Sequence, residues 1–361
     1  MNILFIGGTG TISTAISKKL LNEGHELFLL NRGSRNAALS DGIAPENAKR
    51  LHEIKCDIGD ENETEKVIAE LTKNVHLDVA ADFIAFTPEQ VERDYRLFAG
   101  RVSQYIFISS ASAYQKLPAN YLITESTPLA NPYWEYSRNK IACEDALMRH
   151  YRDDAFPVTI VRPSHTYDER SVPLGVHGKN GSWQVVKRIM DGKPVIVHGD
   201  GTSLWTITHN SDFALGFTGL VGNIHAIGEA VQIMSAESLT WNQIYETIAH
   251  SLKRLGRLSS PLRIVHVASD FLARCAPHDT IGDFTGGLIG DKSNSVVFDT
   301  DKLKRLVPQF NPTVRADQGI FSTIEYVLSH KDCQKEDADF DTWCDRVIAA
   351  LDAAASSTQR N

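Results

Sequence analysis

Residues 1–13 read MNILFIGGTGTIS. Asn2–Ile6 form an apolar run closed by glycine, the pattern of a strand buried on both faces. Gly7, Gly8 and Gly10 follow at once. From Thr11 to Glu23 the residues Ile12, Ile16, Leu20 and Leu21 fall on one helical face, and Gly24 supplies the stop. A strand, a glycine turn and a helix N-terminus together suit a dinucleotide pyrophosphate, because glycine lets the backbone turn tightly and approach phosphate with no Cβ in the way. Gly7 and Gly10 occupy that turn. The third position of the GxxGxxG spacing is Ser13, small enough for close helix–strand packing. A plain turn would read the same way, so the decision rests on residues downstream.

The alternation continues through the first half. HELFLLNRG (25–33), HEIKCDIGD (52–60, its strand ending at Cys56–Asp57), DVAADFIA (78–85), QYIFISSASAY (104–114) and FPVTIVRPS (156–164) read as strands, with a helix over Thr64–Leu71. Strands separated by helices predict an α/β fold: a doubly wound parallel Rossmann sheet with a smaller C-terminal α/β substrate-binding portion. After Pro163 the rhythm breaks. YDERSVPLGVHGKNGSW (167–183) is loop-like, and KPVIVHGDGTSLWTITHNSD (193–212) reads as strand, tight turn at Asp200-Gly201, and strand. Thr240 and Gln243 have the spacing of a helix capping box, and PLRIVHV (261–267) suggests a further strand. The expected division is 1–167 for dinucleotide binding, also receiving 203–230, then 168–202 and 231–330 for substrate. Residues 331–361 read as an amphipathic helix (Phe340, Cys344, Val347, Ile348, Leu351) decaying into a disordered tail.

Composition narrows the class. The 361 residues are 42% hydrophobic and 23% charged, with a formal net charge of −8, which argues against a nucleic-acid partner. Five scattered cysteines without a CxxC pair predict reduced thiols and no zinc site, and the scattered histidines show no metal-ligand spacing. No apolar run approaches the ~20 residues of a membrane span, so the expectation is a cytoplasmic protein with no membrane partner.

The second strand ends at Asn31-Arg32-Gly33 with no carboxylate for a ribose hydroxyl. Arg32, a planar permanent cation, could pair with a 2′-phosphate, which leans the expectation to NADP over NAD; a solvated loop arginine is the alternative. Asp57 could accept from an adenine amine. Farther on, YSRNK places Tyr136 and Lys140 four residues apart on one helical face. A free phenol, with a pKa near ~10, is too weak an acid for efficient proton transfer at neutral pH, and an ammonium one turn away would lower it. Ser110 ends the fifth strand, at the carboxyl edge where doubly wound sheets bind ligands.

These elements, in this order, resemble an extended short-chain dehydrogenase/reductase of the NAD-dependent epimerase/dehydratase branch. The match rests on Gly7-Gly8-Thr9-Gly10-Thr11-Ile12, Asp57-Ile58, Ser110 with Tyr114, Tyr136 with Lys140, Arg162-Pro163 and Gly199-Asp200-Gly201, over roughly residues 1–330. The resemblance implies that Tyr136 is the catalytic acid/base, that Lys140 binds the nicotinamide ribose and acidifies the tyrosine, and that Ser110 polarises the substrate oxygen. It implies that Thr9, Gly10, Thr11 and Ile12 line the phosphates, that Phe83 to Ala85 flank the adenosine ribose, and that Pro163 lies near the nicotinamide. A homodimer through the helices near Glu89–Leu97 and Trp134–Met148 is a family-level expectation.

Departures narrow the reaction. Dehydratases of the branch carry an Asp–Glu pair where this chain has Ala111 and Ser112, which points away from dehydration and leaves Ser112 as a substrate contact. Trp205 stands where related epimerases hold a diphosphate with arginine, and His165 where many relatives carry asparagine. Both are read as substrate-binding, with buried structural roles as the alternatives, and they hint at a carbohydrate-like substrate other than a nucleotide diphosphate sugar. The expected activity is NAD(P)-dependent epimerisation or oxidoreduction of a sugar's secondary alcohol. Alternatives are reduction of a non-carbohydrate carbonyl, or a cofactor- or RNA-binding member of the superfamily without catalysis.

Overall fold

The computed structural model describes residues 1–33, 39 and 42–358. Its centre is a sheet of seven strands: β1 (Asn2–Ile6), β2 (Glu26–Asn31), β3 (Leu51–Lys55), β4 (Leu77–Asp82), β5 (Val102–Ile108), β6 (Val158–Pro163) and β7 (Ala230–Ile233). They lie in the order β7-β6-β5-β4-β1-β2-β3, and every pairing is parallel. The order reverses between β1 and β4, which opens a crevice at their carboxyl ends.

The apolar run of β1 feeds two cores. Ile3 and Phe5 point to one face, where they pack with Ile16 and Leu20 of helix α1 (Ser13–Asn22). Leu4 and Ile6 point to the other, into the core shared by α2 (Glu61–Asn74), α3 (Pro88–Phe98) and α4 (Glu135–Asp154). Period-two alternation into helices on both sides is why the strand is apolar throughout. Helix α5 (Asn210–Leu220) returns to cover the α1 face through Phe213 and Phe217.

The remaining chain forms a third core around Trp183, Trp205, Trp241 and Trp343. Helix α6 (Trp241–Arg254) starts with the expected capping box: Thr240 Oγ1 accepts from the Gln243 N–H, and Gln243 Oε1 accepts from the Thr240 N–H. Helices α7 (Ala316–Ser329) and α8 (Ala338–Thr358) pack against the same core.

Three expectations are corrected here. The strands flanking Asp200-Gly201 do not pair with each other. Val195–His198 pairs in parallel with Ile264–Val267, whereas Leu204–Trp205 pairs antiparallel with Leu239–Thr240. The tight turn is real, with Gly199 and Gly201 both at positive φ, but it redirects the chain between two ribbons. The boundary at 231 cuts through β7, which belongs to the central sheet. The C-terminal helix also continues to Thr358, past the last amphipathic position at Leu351, through an alanine-rich stretch of high helix propensity. Residues 359–361, the end of the expected tail, lie outside the described residues. No described helix is long and apolar enough to cross a membrane.

Candidate active site

The glycine turn leaves β1 with Gly7 at φ +82°, and a Cβ there would sit 2.7 Å from Ile84 Cγ2. A Cβ on Gly8 would run into Leu29 Cδ2, so this glycine serves strand packing. Ser13 does more than stay small. Its hydroxyl donates to the Gly7 carbonyl and accepts from the Gly10 N–H, both at 2.9 Å, tying the turn shut. The Thr11 and Ile12 N–H groups, just before α1, have no hydrogen bond among the described residues. Two free donors at a helix N-terminus form an anion cradle.

A cleft of about 380 Å³ opens beside this turn, lined by Gly7, Thr9, Gly10, Asn31, Arg32, Asp57, Ile58 and Ile84 among others. Asn31 Oδ1 accepts from the Gly33 N–H, while its buried Nδ2 has no partner among the described residues. Asp57 is exposed and accepts from the Gly59 N–H. The orphaned amide and the open cradle fit a dinucleotide. Phe83 is not at this wall: its ring packs on Phe5 and Phe217, with centroids 4.9 and 5.7 Å away. Alternation along the chain turns Ile84 to the cleft in its place.

A second cavity, of about 290 Å³, lies beyond the carboxyl ends of β5 and β6. Ser110, Ser112, Tyr136, Pro163, His165 and Trp205 all line it. Tyr136 stands with Ser110 on this wall, and the Ser110 hydroxyl favours the ionised phenol. Behind it runs a row of hydroxyls: Ser137 Oγ donates to Ser112 Oγ at 2.7 Å, and Ser112 and Ser110 Oγ lie 2.8 Å apart. With each proton passed along the row, Ser110 keeps its own free to donate into the cavity.

Tyr136, Lys140 and Glu144 form a stripe down α4 at intervals of four residues. Lys140 donates to the Ala85 and Ile108 carbonyls at 2.7 and 2.6 Å, and its Nζ is 5.8 Å from the Tyr136 ring centre. Ala85 therefore meets the site through its carbonyl, buttoned to β5 by the lysine. Burial lowers the Lys140 pKa to about 8, and burial raises that of Tyr136, with Ser110 pulling the other way. The expectation of a phenol acidified by lysine is not met here: desolvation dominates at Tyr136, opposed by Ser110 and not by Lys140, whose ammonium is held by two carbonyls. Glu144 receives Arg162 through two bonds, Nε–Oε1 at 3.0 Å and Nη2–Oε2 at 2.5 Å, and it also accepts from Ser109. That buried pair fixes α4 against β6.

A family model described as NAD dependent epimerase/dehydratase family matches residues 3–233. The chain belongs to this family. It is 26% identical to 2'-dehydrokanamycin reductase of Streptomyces kanamyceticus, over 86% of this chain and 80% of that protein. It is also 26% identical to a chloroplast stem-loop binding protein of Arabidopsis thaliana, over 73% and 65%. Among solved structures, UDP-glucose 4-epimerase of Bifidobacterium longum in complex with NAD+ and UDP superposes with a TM-score of 0.69 at 20% identity, covering 92% of this chain and all of that one. The fold is therefore that of the epimerase structures.

Against the family pattern, Trp205 has both of its anticipated characters: it is only 3% exposed in the core, yet it lines the cavity with an indole N–H lacking a partner. His165 stands on a short strand (His165–Tyr167) paired with Ile207–His209, and burial drives its pKa to about 3, so the ring is neutral. Several wall residues escaped the sequence reading. Trp134, His177, Asp291, Lys292 and Phe298 line the cavity, and Lys116 bonds Asp291 at 3.1 Å. They come from separate stretches of chain, Asp291 and Lys292 from the end of the helical segment Thr285–Lys292, and share no spacing, so no motif marks them. Glu144 was findable, because it continues the Tyr136–Lys140 stripe by one more turn.

Proposed function

We propose that the chain transfers hydride between a nicotinamide dinucleotide and a carbonyl or secondary alcohol of a sugar or sugar derivative, as a reductase or an epimerase. The observation that carries this reading is that Ser110 and Tyr136 together line a cavity at the carboxyl edge of the sheet.

The Thr11 and Ile12 N–H groups would hold the pyrophosphate, and Asn31 Nδ2 a ribose oxygen, with Asp57, Ile58 and Ile84 around the adenosine. Arg32 at the same cleft supports a 2′-phosphate, hence NADP; the NAD+ in the Bifidobacterium relative supports the simpler cofactor. Bound there, the nicotinamide supplies or takes up the hydride. Tyr136 keeps its proton at neutral pH and donates it to the carbonyl oxygen as negative charge develops. Ser110 donates to the same oxygen, aligned by Ser112 and Ser137. Lys140 positions the walls by holding Ala85 and Ile108 together. Likeness to 2'-dehydrokanamycin reductase and neutral tyrosine both favour the reducing direction.

The test is a panel of keto-sugars with NADH or NADPH, followed by the absorbance of reduced nicotinamide and by product analysis. Net consumption of reduced cofactor identifies a reductase; sugar inversion without net consumption identifies an epimerase. Tyr136→Phe is expected to slow either reaction about 10²–10⁴-fold. An unchanged rate in that variant, or no hydride transfer with any member of the panel, overturns the reading.

A further inference from the structure

The cavity facing Tyr136 has an electrostatic asymmetry. Asp291 and Lys292 line it, and Lys116 reaches Asp291 from outside the lining. Lys116 is buried and commits its ammonium to Asp291 at 3.1 Å. That pair cancels, and among the described residues Lys292 forms no ion pair of its own. The nearby histidines bring no compensating charge, because burial holds both His165 and His177 neutral by lowering their pKa values. One positive charge is therefore left over at a wall with no counter-ion.

The backbone beneath that charge is held firmly. The Lys292 carbonyl accepts from His198 Nε2 at 3.1 Å, Trp241 Nε1 at 3.1 Å and Ser203 Oγ at 3.3 Å. Three donors on one carbonyl fix the origin of the side chain. Trp205 lines the same cavity, and its buried indole N–H has no acceptor among the described residues. An unsatisfied buried donor is costly, and burial also disfavours the Lys292 ammonium, lowering its pKa. Both costs would be relieved by the same thing: an acceptor carrying negative charge.

We propose that the substrate of this cavity bears a single carboxylate, received by Lys292 and the Trp205 indole N–H. This rests on the hydride-transfer reading and names the substrate class as a sugar acid or a similar hydroxy or keto acid. One uncompensated ammonium matches one negative charge. A diphosphate would bring two or more into a cavity whose other cation is already neutralised. His177 adds selectivity for hydroxyls. Its Nδ1–H donates to the Gly178 carbonyl at 2.8 Å, which leaves Nε2 as an acceptor on the cavity side.

The test titrates the full chain with D-glucuronate, D-glucose and glucose 6-phosphate, reading tryptophan emission and binding heat. Glucuronate should bind about tenfold or more tightly than glucose. Lys292→Met should erase that preference with little change in glucose binding. Trp205→Phe should weaken glucuronate but not glucose, and it stands in if Lys292→Met fails to fold. Equal binding of glucuronate and glucose, no binding of glucuronate, or a preference that survives both variants overturns the proposal. So does tighter, Lys292-dependent binding of glucose 6-phosphate, which would make the group a phosphate. Tyr136→Phe separates the two readings: it should slow hydride transfer about 10²–10⁴-fold and leave the glucuronate preference intact. Hydride transfer on neutral sugars alone sinks the carboxylate and spares the chemistry.

Discussion

The dinucleotide half and the substrate half are built by different rules. In the first, the cleft is made of turns that each follow a strand of one continuous sheet, so backbone geometry does most of the positioning. The few side chains involved reinforce those turns. Asp82, at the end of β4, accepts from the Ile84 N–H at 2.6 Å and from Arg93, which also donates to the Ile58 carbonyl and to Asp94. One buried arginine thus pins two walls of the cleft. In the second half the pairings are ribbons of two to four residues, such as Leu204–Trp205 with Leu239–Thr240 and Val195–His198 with Ile264–Val267. Function there hangs on side chains brought from distant loops and fixed by a tryptophan-rich core. A backbone-built site tolerates sequence drift, whereas a side-chain-built site can change its ligand by exchanging one wall residue.

The largest expected effect lies within the first half, where α4 meets β6. Arg162→Met leaves Glu144 buried without its partner, and breaking such a pair costs about 3–5 kcal/mol. Urea unfolding should show that loss, and adding Glu144→Leu should recover most of it. A loss below about 1 kcal/mol, typical of an exposed pair, would mean that the clamp does not hold α4.

A second prediction sharpens the contrast through pH. His165 and His198 have pKa values pulled by burial to about 3 and about 4, below the ordinary 6.5. Native protein keeps them neutral, so their contribution is full above pH 6.5 and is lost as pH falls toward about 4. In the dinucleotide half the buried group is Asp82, whose pKa is raised by burial and by Asp94, so acid does not oppose its native state. Because Trp183, Trp205, Trp241 and Trp343 all sit in the substrate-side core, their emission should shift red on acidification before nicotinamide binding is lost. Simultaneous loss would erase the distinction.

The smallest effect is local. Thr240→Ala removes one half of the capping box of α6 and should cost about 1 kcal/mol in urea unfolding, with hydride transfer unchanged. A cost near zero would show that packing of Trp241 and Ile244 alone sets the start of that helix.

Legibility in the sequence follows the same divide. Gly7, Gly10, Ser110, Tyr136 and Lys140 were readable because strand, turn and helix signals are local and the Tyr136–Lys140 pair obeys helical spacing. The Asp200-Gly201 turn was readable as a turn, but the partners of its flanking strands lie 34–36 and 69 residues onward, beyond any local pattern. Phe83 was misplaced by one residue, which in extended chain means the opposite side. The tyrosine's shifted acidity needed the burial of Tyr136 and the two carbonyls on Lys140, neither of which spacing reveals. Lys116, Asp291 and Lys292 were invisible for the plainest reason: only the tertiary fold makes them neighbours.

The late arrival of β7 has a bearing on how the protein is made. Until residues 230–233 emerge from the ribosome, β6 has only β5 beside it, and its outer row of amides and carbonyls is open to any passing strand. A chain cut after residue 167 would retain the Ser110 and Tyr136 hydroxyls and still present that bare seam, making it prone to self-association.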